Sequence, residues 1–313
     1  MTNAMKYSTI TLPDGARPRG VALSADGSRA AVCNFGLGSV SMIDTVNNVV
    51  IANIPAVPRP AYTAFDESRN RCYVTSLEGR AVLVIDTDLN AVIREIDINV
   101  ALRQITTDPT NGRAYVTCPR AGQFDMAQIA VIDTNQDVLI TTLAIEAGNL
   151  PTNIAIDPIG RRGFFPLVLN QNRTLIGRID TQANQVIAPM EYPIENLARD
   201  STVWKNGLLY IAAATKTAVI NTATEETHAL KAGGKHIHLS PQGDRAYYLL
   251  SRSESGQQWS ALQTVDTGTY EVVDVSLIAP IQPHSMAISA NGKRVCITED
   301  DRRSVVVADI AGA

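Results

Sequence analysis

Residues 60 to 86 decide the fold, because they contain Arg71-Cys72-Tyr73-Val74-Thr75 and then Ala81-Val82-Leu83-Val84-Ile85-Asp86-Thr87. Both segments are short, rich in β-branched and aromatic residues, and stop at a polar or turn-forming residue. That combination is typical of β-strands separated by turns. The stretch therefore predicts two neighbouring strands of an antiparallel sheet.

The end of the second strand recurs along the whole chain at intervals of 41 to 47 residues. The seven copies are Ile43-Asp44-Thr45, Ile85-Asp86-Thr87, Ile132-Asp133-Thr134, Ile179-Asp180-Thr181, Ile220-Asn221-Thr222, Val265-Asp266-Thr267 and Ala308-Asp309-Ile310. A repeat of roughly 40 to 45 residues that supplies four strands is typical of a β-propeller blade. The sequence therefore predicts an all-β fold, a seven-bladed β-propeller or a similar array with four-stranded antiparallel blades.

The first repeat shows the plan of one blade, with strands predicted at residues 21–24, 29–34, 39–44 and 49–54. Asp26-Gly27 separates the first two, and Asp-Gly favours a tight hairpin turn. Because the repeats leave no room for a linker, we expect a single domain over residues 1–313. Its blades are predicted at about residues 17–57, 58–100, 101–149, 150–196, 197–233, 234–281 and 282–310, the last completed by residues 7–12.

The two ends of the chain predict how the ring closes. Residues 7–12 form a candidate strand ahead of the first repeat, whereas the last repeat ends before a fourth strand. Pairing the first strand with the last repeat would remove two exposed sheet edges, which otherwise favour aggregation.

The repeats also carry a family resemblance. Tyr73-Val74-Thr75-Ser76 and Tyr115-Val116-Thr117-Cys118, each followed by Ile-Asp-Thr, resemble the YVTN-type seven-bladed propeller repeat, and the likeness extends over residues 7 to 310. The fifth blade departs most, with Asn221 in place of the aspartate. Relatives of this architecture include surface proteins, dehydrogenase subunits, cytosolic sugar-lactone hydrolases and an antibiotic-inactivating lyase. The resemblance therefore implies the fold and leaves the activity open.

Composition limits the classes of partner. The net charge of −4 disfavours a nucleic-acid or anionic-membrane surface, both of which need a basic footprint. The amino terminus lacks the apolar core of a secretory signal, and no run of 18 apolar residues follows, so we expect a cytoplasmic protein. A monomer fits these data, although the sequence does not define an oligomeric state.

Motifs limit the cofactors in the same way. No P-loop, Rossmann glycine run, haem-attaching cysteine pair or G-x-S-x-G is present, which removes the usual support for nucleotide, haem and serine-hydrolase chemistry. The four cysteines lie on the second strand of different repeats, with no CxxC spacing, and are predicted to be buried free thiols: Cys33, Cys72, Cys118 and Cys296. The aspartates of the Ile-Asp-Thr motif are expected to accept hydrogen bonds from the turns that follow them.

Function in a propeller usually lies where loops from all blades meet the central channel. Aligned repeats place Arg19, Ala61, Arg103, Thr152, Arg199, Lys235 and His284 at one position of the first strand. The next position holds Gly20, Tyr62, Gln104, Asn153, Asp200, His236 and Ser285. We predict that this cation-rich mouth binds an anion, since arginine can fork onto a carboxylate or phosphate. Solvated or salt-bridged loop residues are the alternative.

The histidines suggest acid/base chemistry. His284 is predicted to lie across a hairpin from Glu299, a pairing that would orient the imidazole and raise its basicity. His236 meets His284 only if both side chains face the same blade interface, and His236, His284 and Glu299 would then be candidates for a divalent-cation site. For His238, the alternative is packing between blades with a hydrogen bond to the backbone.

Two long loops, residues 118–126 and 252–259, are predicted to cover the mouth, where Trp259 and Tyr62 would supply an apolar wall. The preferred hypothesis is an enzyme that acts on a carboxylate- or phosphate-bearing small molecule, with His284, His236 and Glu299 as the catalytic set. Arg19, Tyr62, Arg103, Asn153, Arg199, Lys235 and Trp259 would bind the substrate. A lyase, hydrolase or isomerase reaction fits this hypothesis. The alternative is a noncatalytic ligand-binding or protein-interaction propeller.

Overall fold

A computed structural model describes most of the chain. The described residues are 5–56, 58–119, 126–146, 153–170, 173–192, 197–213, 215–234, 236–254, 257–279, 281–299 and 303–310. Within them lie 28 strands and a 3-10 turn at Glu67–Arg69. No helix in this part of the chain is long and apolar enough to cross a membrane.

The strands are numbered along the chain: β1 Tyr7–Thr11, β2 Pro18–Leu23, β3 Arg29–Asn34, β4 Ser39–Asp44, β5 Val49–Pro55, β6 Pro60–Asp66, β7 Arg71–Ser76, β8 Ala81–Asp86, β9 Ala91–Asp97, β10 Ile105–Asp108, β11 Arg113–Cys118, β12 Ala127–Asp133, β13 Val138–Ile145, β14 Ala155–Asp157, β15 Arg162–Asn170, β16 Arg173–Asp180, β17 Gln185–Tyr192, β18 Leu197–Lys205, β19 Leu208–Ala213, β20 Thr217–Asn221, β21 Thr227–Leu230, β22 Ile237–Leu239, β23 Arg245–Glu254, β24 Gln257–Asp266, β25 Val272–Ala279, β26 Ser285–Ile288, β27 Arg294–Glu299 and β28 Ser304–Asp309.

These strands form seven four-stranded antiparallel sheets, so the predicted seven-bladed β-propeller is confirmed. Blades 1 to 6 use consecutive strands: β2–β5, β6–β9, β10–β13, β14–β17, β18–β21 and β22–β25. Blade 7 consists of β26, β27, β28 and β1. We call the first strand of each of blades 1 to 6, and β26 of blade 7, the inner strand, because the channel along the propeller axis is lined by these strands.

The hydrophobic core is divided into seven layers, each of which lies between two neighbouring blades. The layer between blades 1 and 2 contains Cys33, Cys72 and Val74, whereas Tyr73 belongs to the layer between blades 2 and 3. Alternate residues of one strand therefore serve opposite neighbours, as the two-residue period of a strand requires. This is why the middle strands are apolar at nearly every position.

The predicted ring closure is also confirmed. Strand β1 pairs antiparallel with β28, from Tyr7 opposite Ala308 to Thr11 opposite Ser304. Ile10 is buried in the layer that joins blade 7 to blade 1. Blade 7 is thus built from both ends of the described chain.

The Ile-Asp-Thr motif has the structural role expected of it. In blade 1, Oδ1 of Asp44 accepts hydrogen bonds from the backbone N–H groups of Val46 and Asn47, both at 2.9 Å. Asn221 does the same in blade 5, at 2.9 and 3.2 Å, so its amide oxygen replaces a carboxylate oxygen. Such bonds lower the pKa of Asp44, Asp86, Asp133 and Asp266.

An ion pair across the two middle strands reinforces these turns. Strand register places an arginine opposite the motif aspartate in six blades: Arg29–Asp44, Arg71–Asp86, Arg113–Asp133, Arg162–Asp180, Arg245–Asp266 and Arg294–Asp309. The Arg71–Asp86 pair is 2.7 Å long. Blade 5 has Leu208 opposite Asn221, so both members of the pair are replaced together.

The four cysteines are buried free thiols on β3, β7, β11 and β27, as predicted. Burial raises the pKa of Cys72, Cys118 and Cys296 to about 12. These thiols therefore stay protonated at neutral pH and behave as small apolar side chains.

We predict that ring closure by β1 contributes strongly to stability. Replacing Ile10 with alanine should lower the free energy of unfolding by about 2 to 5 kcal/mol, the usual cost of a cavity in a packed core. Thr9→Ala, on an exposed position of the same strand, is the matched control and should change it by less than about 0.5 kcal/mol. Urea unfolding measures both, and equal midpoints would contradict the closure argument.

We also predict that the motif aspartates make stability sensitive to acid. Their pKa values are lower in the folded chain than in the unfolded chain, so their contribution is complete above about pH 5 and is lost as the pH falls through the folded-state values. Asp86→Asn keeps the turn acceptor and loses the Arg71 ion pair, at a cost below about 1 kcal/mol at pH 7. Its stability should decline less between pH 5 and pH 3 than that of the wild type, whereas the exposed Asp97→Asn should follow the wild type.

Candidate functional site

The inner strands enclose a channel cavity of about 380 Å³. One ring of lining residues has a member from every blade, and we call it the lining ring: Val21, Thr63, Ile105, Ile154, Thr202, Ile237 and Met286. The residues one step earlier form a second ring, which we call the polar ring: Gly20, Tyr62, Gln104, Asn153, His236 and Ser285. In blade 1 a glycine is required there, because a Cβ on Gly20 would lie 2.4 Å from the carbonyl oxygen of Ala61.

Strand register refines the alignment of the fifth blade. Ile105 pairs with Val116 in blade 3, and Thr202 pairs with Ile211 at the equivalent point of blade 5. Counting back two residues matches Arg103 with Asp200, so Arg199 lies one residue outside the predicted ring. The irregular pairing between Leu197 and Thr202 causes this shift. The side chains of residues 199 and 200, and all of residue 235, lie outside the described part of the chain.

Of the predicted site residues, Tyr62, Asn153 and His236 line the cavity. Arg19, Arg103, His284, Glu299 and Trp259 are absent from its described lining. Arg19 and Arg103 directly precede Gly20 and Gln104, so the cations stand beside the channel rather than in it.

Arg19 and Trp259, which the sequence also predicts to bind substrate, contact other parts of the fold. The guanidinium of Arg19 lies over the Phe35 ring, 3.7 Å from its centroid. Trp259 lies opposite Arg252 in the long hairpin formed by β23 and β24.

Two histidines of blade 6 line the channel: His236, directly ahead of β22, and His238, within it. Nε2–H of His236 donates to the backbone carbonyl of His284 at 3.1 Å, and Nε2–H of His238 donates to that of Met286 at 3.2 Å. A carbonyl oxygen can only accept, so each bond places a proton on Nε2, and in the neutral His238 ring Nδ1 is then the basic nitrogen. Desolvation lowers the pKa of His238, which keeps that ring neutral at pH 7.

These bonds also tie neighbouring blades together. His238 occupies the position that Thr106 has in blade 3, where the Thr106 hydroxyl donates to the carbonyl of Ile154 at 2.9 Å. Asn153 links blade 4 to blade 5 by donating to the carbonyl of Thr202 at 3.0 Å. The backbone-bonding alternative proposed for His238 is therefore what the structure shows.

The predicted partnership of His284 with Glu299 stays a prediction. The backbone N–H of His284 donates to the carbonyl of Thr298 at 2.8 Å, which places the two residues at the same end of the β26–β27 hairpin. The Glu299 carboxylate is buried and accepts a hydrogen bond from the Ser304 hydroxyl at 3.1 Å. Among the described residues, no group of three histidine, cysteine or acidic side chains could hold a metal ion, and His236, His284 and Glu299 do not form one.

Three buried polar atoms on the channel wall have no hydrogen-bond partner: Oδ1 of Asn153, Oγ1 of Thr202 and Nε1 of Trp204. All three residues line the cavity, at the junction of blades 4 and 5. An unsatisfied buried polar atom costs about 1 to 3 kcal/mol, so these atoms favour a water or a ligand group in the channel. The sequence identified Asn153, but it gave Trp204 only as part of an irregular strand end.

The cavity lining is almost uncharged. Its titratable side chains, among the described residues, are Tyr62, His236 and His238, and no carboxylate, lysine or arginine belongs to it. A negatively charged guest would therefore meet hydrogen-bond donors without a carboxylate in the described lining, and Arg19 and Arg103 directly precede two residues of the polar ring in the sequence.

Comparison with known proteins supports the fold. No family model matches the chain. Over 293 residues the chain is 24% identical to the seven-bladed beta-propeller protein Rv1057 of Mycobacterium tuberculosis, a match that covers 92% of this chain and 70% of the relative. A hydrazine synthase chain from Kuenenia stuttgartiensis superposes with a TM-score of 0.80 at 18% identity, over 96% of this chain and 97% of that one.

These similarities define the class of protein as a seven-bladed β-propeller. Membership of the YVTN-type repeat family stays a resemblance, because no family model identifies it. The hydrazine synthase similarity, at this identity, concerns the fold alone.

We predict that His238 makes stability depend on pH near neutrality. Its pKa is lower in the folded chain than in the unfolded chain, so stability is complete above about pH 6.5 and is lost as the pH falls through the folded-state value. His238→Gln keeps a donor for the Met286 carbonyl and should flatten this dependence between pH 7 and pH 5. His228→Gln, at an exposed histidine on β21, should leave it unchanged, and equal slopes in all three proteins by urea unfolding would contradict the prediction.

Proposed function

We propose that the channel binds a small organic molecule that carries an anionic group, and that the channel histidines exchange protons with it. The observation that carries this proposal is that three residues with an unpartnered buried polar atom and two histidines line one cavity. A cavity of about 380 Å³ suits a metabolite-sized guest, since ligand pockets commonly measure roughly 300 to 1,000 Å³.

Electrostatics support an anionic guest. The described lining contains no carboxylate, and the position that precedes the polar ring holds Arg19 in blade 1 and Arg103 in blade 3, against Asp200 in blade 5. A low-dielectric channel strengthens the attraction between such cations and an anion. Oδ1 of Asn153 and Nε1 of Trp204 would add one acceptor and one donor, which favours a molecule that also carries a hydroxyl or amide group.

The histidine geometry supports proton transfer by a neutral base. The Nε2–H of His238 is held by the Met286 carbonyl, so Nδ1 of His238 is the nitrogen that would accept a proton from the guest. The lowered pKa of His238 keeps it in the basic form at neutral pH. This arrangement supports a lyase, hydrolase or isomerase reaction on a carboxylate- or phosphate-bearing substrate. His284 and Glu299, which are absent from the described lining, would act from the mouth.

A noncatalytic binding protein is the second candidate, and a specific observation favours it. The imidazole of His238 makes the same blade-to-blade bond as the Thr106 hydroxyl, so the ring has a structural task that needs no chemistry. A binder of this kind would use the same cavity and the same unpartnered atoms.

We predict that Asn153→Asp weakens anion binding in the channel. The new carboxylate lies on the cavity wall, and repulsion should weaken binding of citrate, succinate or phosphate by roughly tenfold or more. Asn206→Asp, at a turn outside the channel, is the matched control and should bind as the wild type does. Isothermal titration with each probe measures the affinities, and thermal unfolding checks that both variants are folded.

The same titrations separate the two candidates. If a bound carboxylate is converted to product, His236→Gln and His238→Gln should lower turnover by about 100-fold while binding persists. Binding without turnover in the wild type would favour the noncatalytic protein. Equal affinities in Asn153→Asp and Asn206→Asp, or no binding of any probe, would refute the channel as an anion site.

A further inference from the structure

A second cavity, of about 580 Å³, lies between blades 1 and 2 and shares no lining residue with the channel. We call it the arginine cleft. Its wall includes the connection between β3 and β4, with Phe35 and Leu37, and the residues ahead of β6, with Pro58 and Arg59. Glu78 completes the opposite side.

Positive charge is concentrated around one aromatic ring in this cleft. The guanidinium carbons of Arg19 and Arg59 lie over Phe35, at 3.7 and 5.3 Å from the ring centroid. Nε of Arg19 is buried and has no hydrogen-bond partner. Arg17 also lines the cleft, and Glu78 is the carboxylate in its described lining.

The backbone holds two of these arginines in an unusual conformation. Arg17 and Arg59 have φ values of 46° and 56°, and each precedes the proline that begins an inner strand. A left-handed conformation is unfavourable for a non-glycine residue, so tertiary packing must hold it. The packing at Arg17 is close, since a Cβ on Gly36 would lie 2.2 Å from the carbonyl oxygen of Gly15 and 3.0 Å from Cγ of Arg17.

The pairing of Glu78 with Arg59 indicates that the cleft suits a carboxylate. Its carboxylate pairs with Nη1 of Arg59 at 2.8 Å, and both side chains are about half exposed. An exposed pair of this kind contributes little to stability, so a ligand carboxylate can replace Glu78 at small cost. Phe35, Leu37 and Pro58 offer apolar contact beside the guanidinium.

We infer that the arginine cleft is a second binding site, which recognises a small aromatic carboxylate. The carboxylate would bind Arg59 in place of Glu78, and the aromatic group would pack on Leu37 and Pro58 beside the Phe35 ring. Arginine can hold a carboxylate with two parallel hydrogen bonds, and aromatic faces favour both guanidinium and ring neighbours. The cleft and the channel share no lining residue, so this site is tested separately from the function proposed for the channel.

The test uses benzoate as the probe in isothermal titration and saturation-transfer NMR. Benzoate should bind saturably, whereas benzamide, of the same shape without the charge, and acetate, without the ring, should bind at least tenfold more weakly. Arg59→Gln should weaken benzoate binding by about tenfold, and Glu78→Gln should strengthen it by removing the internal competitor. Arg80→Gln, at an exposed arginine outside the cleft, is the matched control and should bind as the wild type does.

The outcomes also separate this site from the channel. Asn153→Asp should leave benzoate affinity unchanged, since Asn153 does not line the cleft. Failure of wild-type binding, equal affinity in Arg59→Gln and the wild type, or loss of binding in Asn153→Asp would overturn the inference. The side chains of Arg59 and Glu78 are both about half exposed, so we expect their variants to fold. Circular dichroism of each variant checks this.

Discussion

Closure of the ring is the constraint on which the rest of this structure depends. Each blade is a twisted sheet whose two faces are apolar, so each blade needs a neighbour on both sides. Seven blades in an open row would form six interfaces, whereas the described residues form seven core layers. The seventh joins blade 7 to blade 1, and it exists because β1 supplies the last strand of blade 7. Local pairing of five residues thereby completes a core that extends around the molecule.

The sequence predicts the fold well because its determinants are local and repeated. Strands β3 and β4 begin and end where the repeat predicts, since turn residues bound them on both sides. The sequence also carries a signal for the arginine that lies opposite each motif aspartate, and our predictions did not use it. Leu208 and Asn221 change together in blade 5, which is the signal of a cross-strand pair.

The candidate site was harder to predict, because it depends on register at the irregular ends of the inner strands. Pairing shifts between Pro18 and Val21, and again between Pro60 and Tyr62, so the residue that faces the channel cannot be counted from the strand start. A register shift of one residue turns a side chain from one face of the strand to the other. The arginine position and the polar ring are one residue apart, so they face opposite sides of the strand. The unpartnered atoms of Thr202 and Trp204 are visible only after neighbouring blades are packed.

Each of the two channel histidines makes a hydrogen bond to the neighbouring blade, and each carries an imidazole on the channel wall. Residues two apart on a strand face the same side, so His236 and His238 lie roughly 7 Å apart along β22 and its extension. Burial disfavours the charged form of His238 and lowers its pKa, while its Nε2–H is held by the Met286 carbonyl. Neutral bridging side chains such as Thr106 and Asn153 provide the same kind of blade contact. An imidazole is therefore not needed for the contact itself, and at His238 it adds a titratable nitrogen to the channel wall that a threonine or asparagine would not supply.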